Sequence, residues 1–453
     1  MAKLRRDLGL FEATTVVVGT MIGSGIFLGP ERIATLLADP FLMVLVWAFT
    51  GLLILFAALT YAELGSIFPQ SGGDYAYLRE AYGPLVGFFN GWSVVNFGKG
   101  ASLAAVAVGA ATYATAFLPI EGWGEKVFAV GLIAALALVN VLGVRHAGRL
   151  SNVLAGAKIA GIGGLILIGL FYAGAPPAAP GPALRAPAGL DLVAAFGVAM
   201  VPALFAYDGW SVSTQVAEEI RDPQRTLPKS LIVSVLVVAT LYILANLAYL
   251  KVLGIGGIAG SEFAAADTAG LVFGDTGRTL MALAVLLSIV GTANAITVTG
   301  PRVSYAMGRD GVFPARFGTV TRWGTPGFAI VVQAAYAAVF AIALDFDTLL
   351  NALVFAGWIF YGLAGASVIV LRLKRPELPR PYKVPLYPWV PLAFVGLSAF
   401  FVVNTLTQIP VESGLGLLLL ALGYPVYALA RRKWQTVVPA REWRALVEAE
   451  RPR

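Results

Sequence analysis

Residues 19–27 read GTMIGSGIF, placing three glycines and a serine inside the first long apolar stretch of the chain. Each glycine costs a helix interior roughly 1 kcal/mol relative to alanine, so a membrane-crossing helix would be weakened here at its middle. Composition supplies the membrane. Of 453 residues, 58% are hydrophobic and 13% charged, and the mean hydropathy is +0.80. Soluble domains carry about 25% charged residues, so the sequence predicts an all-α polytopic membrane protein.

Several chemistries drop out at once. Cysteine is absent and His146 is the sole histidine, which excludes thiol catalysis, Cys/His zinc sites, iron–sulfur ligation and bis-histidine haem. No cofactor or metal is expected. No nucleophile–base constellation points to an enzyme, and no Gly-Lys-Ser/Thr closes the glycine-rich stretch into a P-loop. The N-terminal MAKLRRDLG runs directly into the apolar stretch, so no removable signal peptide is predicted.

Spans need about 20 mostly apolar residues each. Twelve are predicted: 10–37, 41–68, 84–118, 126–144, 148–174, 191–217, 230–253, 278–305, 326–344, 347–372, 386–408 and 413–430. With the N-terminus cytoplasmic, 25 Lys and Arg fall in inner segments and 5 in outer ones, leaving Lys99 and Lys158 within the membrane. The positive-inside rule then sets both termini on the cytoplasmic side of the cell membrane, with 431–453 as a basic tail. The net charge of +7 is therefore topological and implies no nucleic-acid partner. The Pro-rich outer connector at 175–190 divides one transmembrane domain, 1–430, into five-span blocks at 10–174 and 191–372, with two further helices at 386–430. Five is odd, so the second block enters the bilayer from the opposite side. Such inverted repeats occur in several secondary transporters.

The second block opens with its own interruption, PALFAYDGW at 202–210. Pro202 removes a backbone hydrogen bond, Gly209 weakens the helix and Asp208 sets an ionisable group at mid-membrane. Close helix packing through the GxxxG of Gly19 and Gly23 is the competing reading of the first stretch alone. Matched breaks in both halves favour a binding site near the bilayer midplane, because irregular backbone at that depth must line a cavity or be buried. At each break one half-helix offers free N–H groups to an anion, and the other offers free carbonyls to a cation. A zwitterion fits that pair.

GTMIGSGIF, FAYDGWSVSTQVAEEIRDPQRTLP and TGPRVSYAMGRDGVFP occur in that order and together resemble the amino acid–polyamine–organocation superfamily, its L-type and bacterial amino acid exchanger branch in particular. The likeness extends over about 10–430. It implies a leucine-transporter-type 5+5 inverted repeat with broken helices 1 and 6. It also implies that the substrate carboxylate meets the amides of Gly23, Ser24 and Gly25. The ammonium would meet carbonyls around Ala203, Phe205 and Ala206, and Phe205 would close over the substrate. Eukaryotic L-type light chains join a heavy chain through a disulfide. This chain has no cysteine, so no disulfide-linked heavy chain is expected.

The membrane-embedded charges demand partners. A lysine at helix centre costs about 2.5–3.5 kcal/mol on insertion scales, and snorkelling from near the inner end is the competing reading of Lys158. The resemblance implies instead that its ammonium replaces a sodium ion, held by the carbonyl of Gly19 and the hydroxyl of Ser288. Lys99, with Asn96 one turn away, fits a structural bond and a cavity-facing role equally. Asp208 fits a neutral acid, a counter-ion to a lysine or a cap on the sixth-helix break. SGGDYAYLREAYG (71–83) is too polar to span, which predicts an amphipathic surface or re-entrant helix. EEIRDPQRTLPKS (218–230) reads as either a solvated loop or a gate latch, and Arg302, Arg309 and Asp310 as an inner charge network.

The sequence thus predicts a secondary active amino acid transporter working by alternating access. The reading is a sodium-independent exchanger of neutral amino acids; the alternative is a proton-coupled amino acid importer or polyamine transporter on the same fold. A channel fits two occluding breaks poorly.

Overall fold

A computed structural model of the chain describes residues 8–69, 73–142, 158, 160–174, 186–215, 217, 220–309 and 313–434. The described residues are almost entirely helical, apart from one isolated bridge between Leu8 and Ile220. Among the described residues, eight helices are long and apolar enough to cross a membrane, or nine if the first bent pair is one span.

That pair is α1, Leu10–Met21, and α2, Gly25–Leu37, bent by 45° at their junction. Next comes α3, Pro40–Ile67, started by Asp39, whose carboxylate accepts from the Leu42 amide at 2.8 Å. A short α4, Asp74–Tyr82, precedes one continuous run: α5, Pro84–Ser93, a π-helix over Val94–Gly98, and α6, Lys99–Ala114. Then follow α7, Trp123–Val141, a shorter apolar α8, Ala160–Phe171, and α9, Gly189–Ala206. One turn, α10, covers Val212–Gln215 and leads to α11, Pro223–Ala259. The chain finishes with α12, Ala264–Arg309; α13, Gly327–Ala343; α14, Phe346–Lys374; α15, Trp389–Gln408; α16, Pro410–Ala421; and α17, Gly423–Trp434.

The helices carry apolar residues all round, as expected where both the protein interior and lipid are apolar. Phe171, Leu190 and Val411 are 83%, 87% and 80% exposed on the outer surface of the bundle. Inside, α3 packs along α11 and α2 along α9, which brings the first and sixth predicted spans together at the centre.

One boundary differs from expectation. The helix over α9 continues through Pro202 and stops only at Ala206, because one missing N–H leaves the flanking bonds intact. The turn at 207–211 does the breaking, with Gly209 at φ +95°. The segment read as a surface or re-entrant helix is α4, and Tyr75, Ala76, Tyr77, Leu78 and Ala81 are buried in it. Its tyrosines pack against other helices, with Tyr77 meeting the Tyr61 ring at 5.9 Å. The inner part of the fifth predicted span, residues 218–219 of the proposed latch, and Asp310 lie outside the described residues.

Candidate functional site

The first break is short. Met21 ends α1, Ile22–Ser24 are non-helical, and α2 restarts at Gly25. The carbonyl of Ser24 already accepts from Phe27 at 3.0 Å and Leu28 at 2.9 Å, so the amides of Gly23, Ser24 and Gly25 precede the first bonds of α2. Ser24 is buried, and its hydroxyl has no hydrogen-bond partner.

The two breaks touch through their glycines. A β-carbon on Gly25 would sit 2.4 Å from Ala206 Cα, and one on Gly209 would sit 2.6 Å from Thr20 Cγ2. Only glycine permits that approach, and at Gly209 only glycine accepts the backbone angle without strain. A substitution at Gly25 would therefore force the two helices apart as well as obstruct its amide. Tyr242 of α11 fastens the same junction: its hydroxyl lies 2.7 Å from the Met21 carbonyl and 2.8 Å from that of Ala206. Sequence reading missed Tyr242. Its only signal is a phenol in an apolar helix, which must find a partner when buried.

Lys158 is 3% exposed and donates to the Gly19 carbonyl at 2.8 Å. Its second partner is the Thr292 hydroxyl, also at 2.8 Å, where Ser288 was expected. Thr292 lies one helical turn beyond Ser288 on the same face of α12 and donates its own proton to the Ser288 carbonyl at 3.2 Å. Its oxygen lone pairs remain free to accept from the ammonium. The Ser288 hydroxyl is buried with no partner.

Around the breaks lies a small cavity of about 30 Å³ whose walls include Gly23, Ser24, Gly25, Lys99, Phe205 and Asp208. It thus gathers residues from both breaks and from α6. Ala203 and Ala206 stay in the last turn of α9, where their carbonyls accept from the Tyr207 amide at 3.0 Å and from Tyr242. Asp208 accepts from the Tyr361 hydroxyl at 3.0 Å. Lys99 opens α6 directly after the π-helix, an irregularity frequent at functional sites, and faces the cavity. The Asn96 side chain lies outside the described residues.

Phe205 also borders a second cavity of about 120 Å³, lined by Leu28, Arg32, Pro202, Phe346 and Asp347 among others. Its ring meets Phe346 edge-on at 6.1 Å, and Arg32 pairs with Asp347 at the rim. Phe205 and Gly25 thus border both spaces.

On the opposite side, α4 wedges beneath the second break. Gly73 packs so closely that a β-carbon there would lie 2.8 Å from Thr214 Oγ1 in α10. Glu80 and Tyr82 tie the far end of α4 to α14, through Arg375 at 2.8 Å and the Leu363 carbonyl at 2.9 Å. Nearby, Glu63 of α3 is 1% exposed and clamped by Arg372 through two bonds of 2.9 and 2.6 Å. Arg380 stands 3.5 Å away, and the Val384 amide donates at 2.8 Å. Sequence reading did not single out Glu63.

A helical membrane bundle with two interrupted helices meeting at a polar cavity has the form of a transporter for a small solute. Residues 8–421 match the family described as amino acid permease, and the chain belongs to that family. It is 31% identical over 440 residues to the serine/threonine exchanger SteT of Bacillus subtilis, covering 95% of this chain and 98% of that protein. It is also 31% identical over 443 residues to the human large neutral amino acids transporter small subunit 2, covering 94% and 80% respectively. Against the human b(0,+)-type amino acid transporter 1, identity is 32% over 416 residues, covering 90% and 84%. The family and these relatives are transporters, not enzymes.

Proposed function

We propose that the chain is a secondary active amino acid transporter working by alternating access, a sodium-independent exchanger of neutral amino acids in the cell membrane. The observation that carries this reading is the contact of the two interrupted helices beside one cavity, lined by Gly23, Ser24 and Gly25 of the first break and by Phe205 and Asp208 of the second. The substrate carboxylate docks at Gly23, Ser24 and Gly25, and its ammonium at the end of α9 around Ala203, Phe205 and Ala206. Phe205 closes the cavity on the side of Arg32 and Asp347. The relatives' names support the substrate class: one is a serine/threonine exchanger and another a transporter of large neutral amino acids.

In this reading twelve spans form five-helix repeats at 10–174 and 191–372, followed by two helices within 386–430. Both termini are cytoplasmic, so α4 lies on the inner side and the Arg32–Asp347 pair on the outer. The chain works without a disulfide-linked heavy chain, having no cysteine to make that link.

Lys158 takes the place of a coupling cation. Its ammonium ties α8's end of the fifth span to Gly19 in α1 and Thr292 in α12. Lys158→Ala is expected to reduce maximal exchange about tenfold, equivalent to about 1.4 kcal/mol, with a smaller change in KM. The side chain touches helix groups rather than substrate, so its loss falls on the conformational step. Exchange kinetics in liposomes check this; unchanged turnover would leave Lys158 a structural residue.

Substrate class is tested by thermal unfolding of the purified chain against a panel of amino acids. Neutral amino acids should raise the midpoint by mass action, and their decarboxylated amines should not. Stabilisation by polyamines alone would replace this reading with the polyamine alternative.

A further inference from the structure

The inner wedge contains an acid that the transport reading does not use. Asp74 is the first residue of α4, a helix too short to span, lying between α3 and α5. The residue is partly accessible, yet its Oδ1 is buried with no hydrogen-bond partner. Tyr61 of α3 lies beside it, 0% exposed, and its hydroxyl also has no hydrogen-bond partner. The Tyr61 ring is held edge-on by Trp210 at 4.5 Å, by Tyr77 at 5.9 Å and by Tyr361 at 6.5 Å. Through Tyr77, α4 thus joins an aromatic cluster with Tyr61, Trp210 and Tyr361.

The charged and titratable groups acting on Asp74 come from every wall: Tyr61 from α3, Tyr77 from its own helix, Lys99 from α6, Asp208 after α9, and Tyr361 from α14. Lys99 is the one cation among them, and it also faces the cavity shared with Asp208. One ammonium cannot balance two carboxylates. Asp208 has the Tyr361 hydroxyl as partner, whereas Asp74 Oδ1 has none. Burial accordingly pushes the Asp74 carboxyl up from 3.8 to about 7; Lys99 opposes that rise and Asp208 adds to it.

We propose that Asp74 is a proton-binding site of the inner gate: the closed gate holds it protonated, and opening toward the α4 side releases that proton to the water there. This rests on the reading of the chain as an alternating-access transporter with α4 on the inner side. Opening would lift the start of α4 from Thr214 and from the aromatic cluster, and it would hydrate the carboxyl. The proton comes from the inner solution and returns to it, so the site sets how readily the gate opens without requiring net proton transport.

The direction follows from linkage. The carboxyl binds its proton more tightly in the closed state than when hydrated, so acid favours the closed gate. That preference is complete below the ordinary value of 3.8 and is lost as pH rises through about 7. Within the window, each pH unit changes the open-to-closed ratio by up to about tenfold.

The absence of native cysteine makes the test direct. A single cysteine at Thr214, beneath the start of α4, is labelled with a membrane-impermeant thiol reagent from the inner side of the reconstituted full chain. Between pH 5 and 7.5 the labelling rate, divided by that of the unfolded protein to remove thiol ionisation, should rise by about tenfold or more. Asp74→Asn, a neutral mimic of the protonated acid, should label slowly and without this dependence. Lys99→Met removes the cation that holds the carboxyl's value down, so its midpoint should move to higher pH, which keeps the test available if Asp74→Asn misfolds. Flat corrected labelling in the parent, or the parent's pH dependence persisting in Asp74→Asn, would overturn the proton site. Amino acid exchange measured in the same vesicles separates the two readings. Flat labelling with intact exchange removes the proton site alone, whereas pH-dependent labelling without exchange of any amino acid removes the transport reading alone.

Discussion

Ser24→Leu is expected to abolish amino acid binding while leaving the chain folded. Ser24 precedes α2 at the first break, is 1% exposed, and lines the cavity of about 30 Å³. A leucine there would occupy the space in front of the amides of Gly23, Ser24 and Gly25, where a carboxylate must approach closely. Loss of at least about a hundredfold in affinity is expected, because roughly 2.7 kcal/mol disappears with two obstructed charge-assisted hydrogen bonds. Ser24→Ala isolates the hydroxyl, which no protein group satisfies. Its removal should cost up to about tenfold, the range of one hydrogen bond. Gly25→Val is a poorer probe, since its side chain would collide with the backbone of Ala206. Equilibrium binding of a labelled neutral amino acid, with the far-ultraviolet helical signal as a folding control, measures the effect. A folded Ser24→Leu protein with wild-type affinity would remove this break as the carboxylate site.

Glu63→Ala should produce the largest loss of stability. The carboxylate is buried, receives both nitrogens of the Arg372 fork, and also meets Arg380 and the Val384 amide. Arg372 in turn stacks over the Tyr387 ring at 3.8 Å, and Arg380 is 9% exposed. Removing the acid leaves two confined guanidinium groups without their counter-ion, and breaking a buried pair typically costs about 3–5 kcal/mol. The clamp joins α3 to the C-terminal end of α14 and the segment beyond it, so the loosened elements are those that support α4. Thermal unfolding in detergent should show a lower midpoint for Glu63→Ala and partial recovery for Glu63→Gln, which keeps the hydrogen-bonding shape without the charge. A midpoint equal to wild type would mean the ion pairs contribute nothing net.

How far residues alone foretold this arrangement depends on how local each cause is. The gap at Ile22–Ser24 lies inside GTMIGSGIF, because glycines and a serine weaken a helix wherever they stand. The second gap sits after Pro202, at Gly209, since proline deletes one bond whereas a positive φ turns the chain. The Gly19 contact of Lys158 was legible because an embedded ammonium needs oxygen, and a broken helix offers it. Choosing between Ser288 and Thr292 was beyond sequence, because residues four apart share one helix face. Burial of α4 was not legible either. Its polar composition suggests a surface or re-entrant helix, and packing against Tyr61, Phe88 and α14 buries its tyrosines. Glu63 stayed hidden for the same reason: its arginine partners lie more than 300 residues away.

The central claim, that the two touching breaks form the site of a sodium-independent amino acid exchanger, meets its most direct test in counterflow. Liposomes containing the purified chain are loaded with an unlabelled neutral amino acid, and uptake of the labelled form is followed in sodium-free buffer. The expected result is rapid uptake that depends on the internal amino acid, is unchanged by adding sodium, and is absent from Ser24→Leu. Uptake that proceeds equally from empty liposomes, or only with sodium outside, would contradict it.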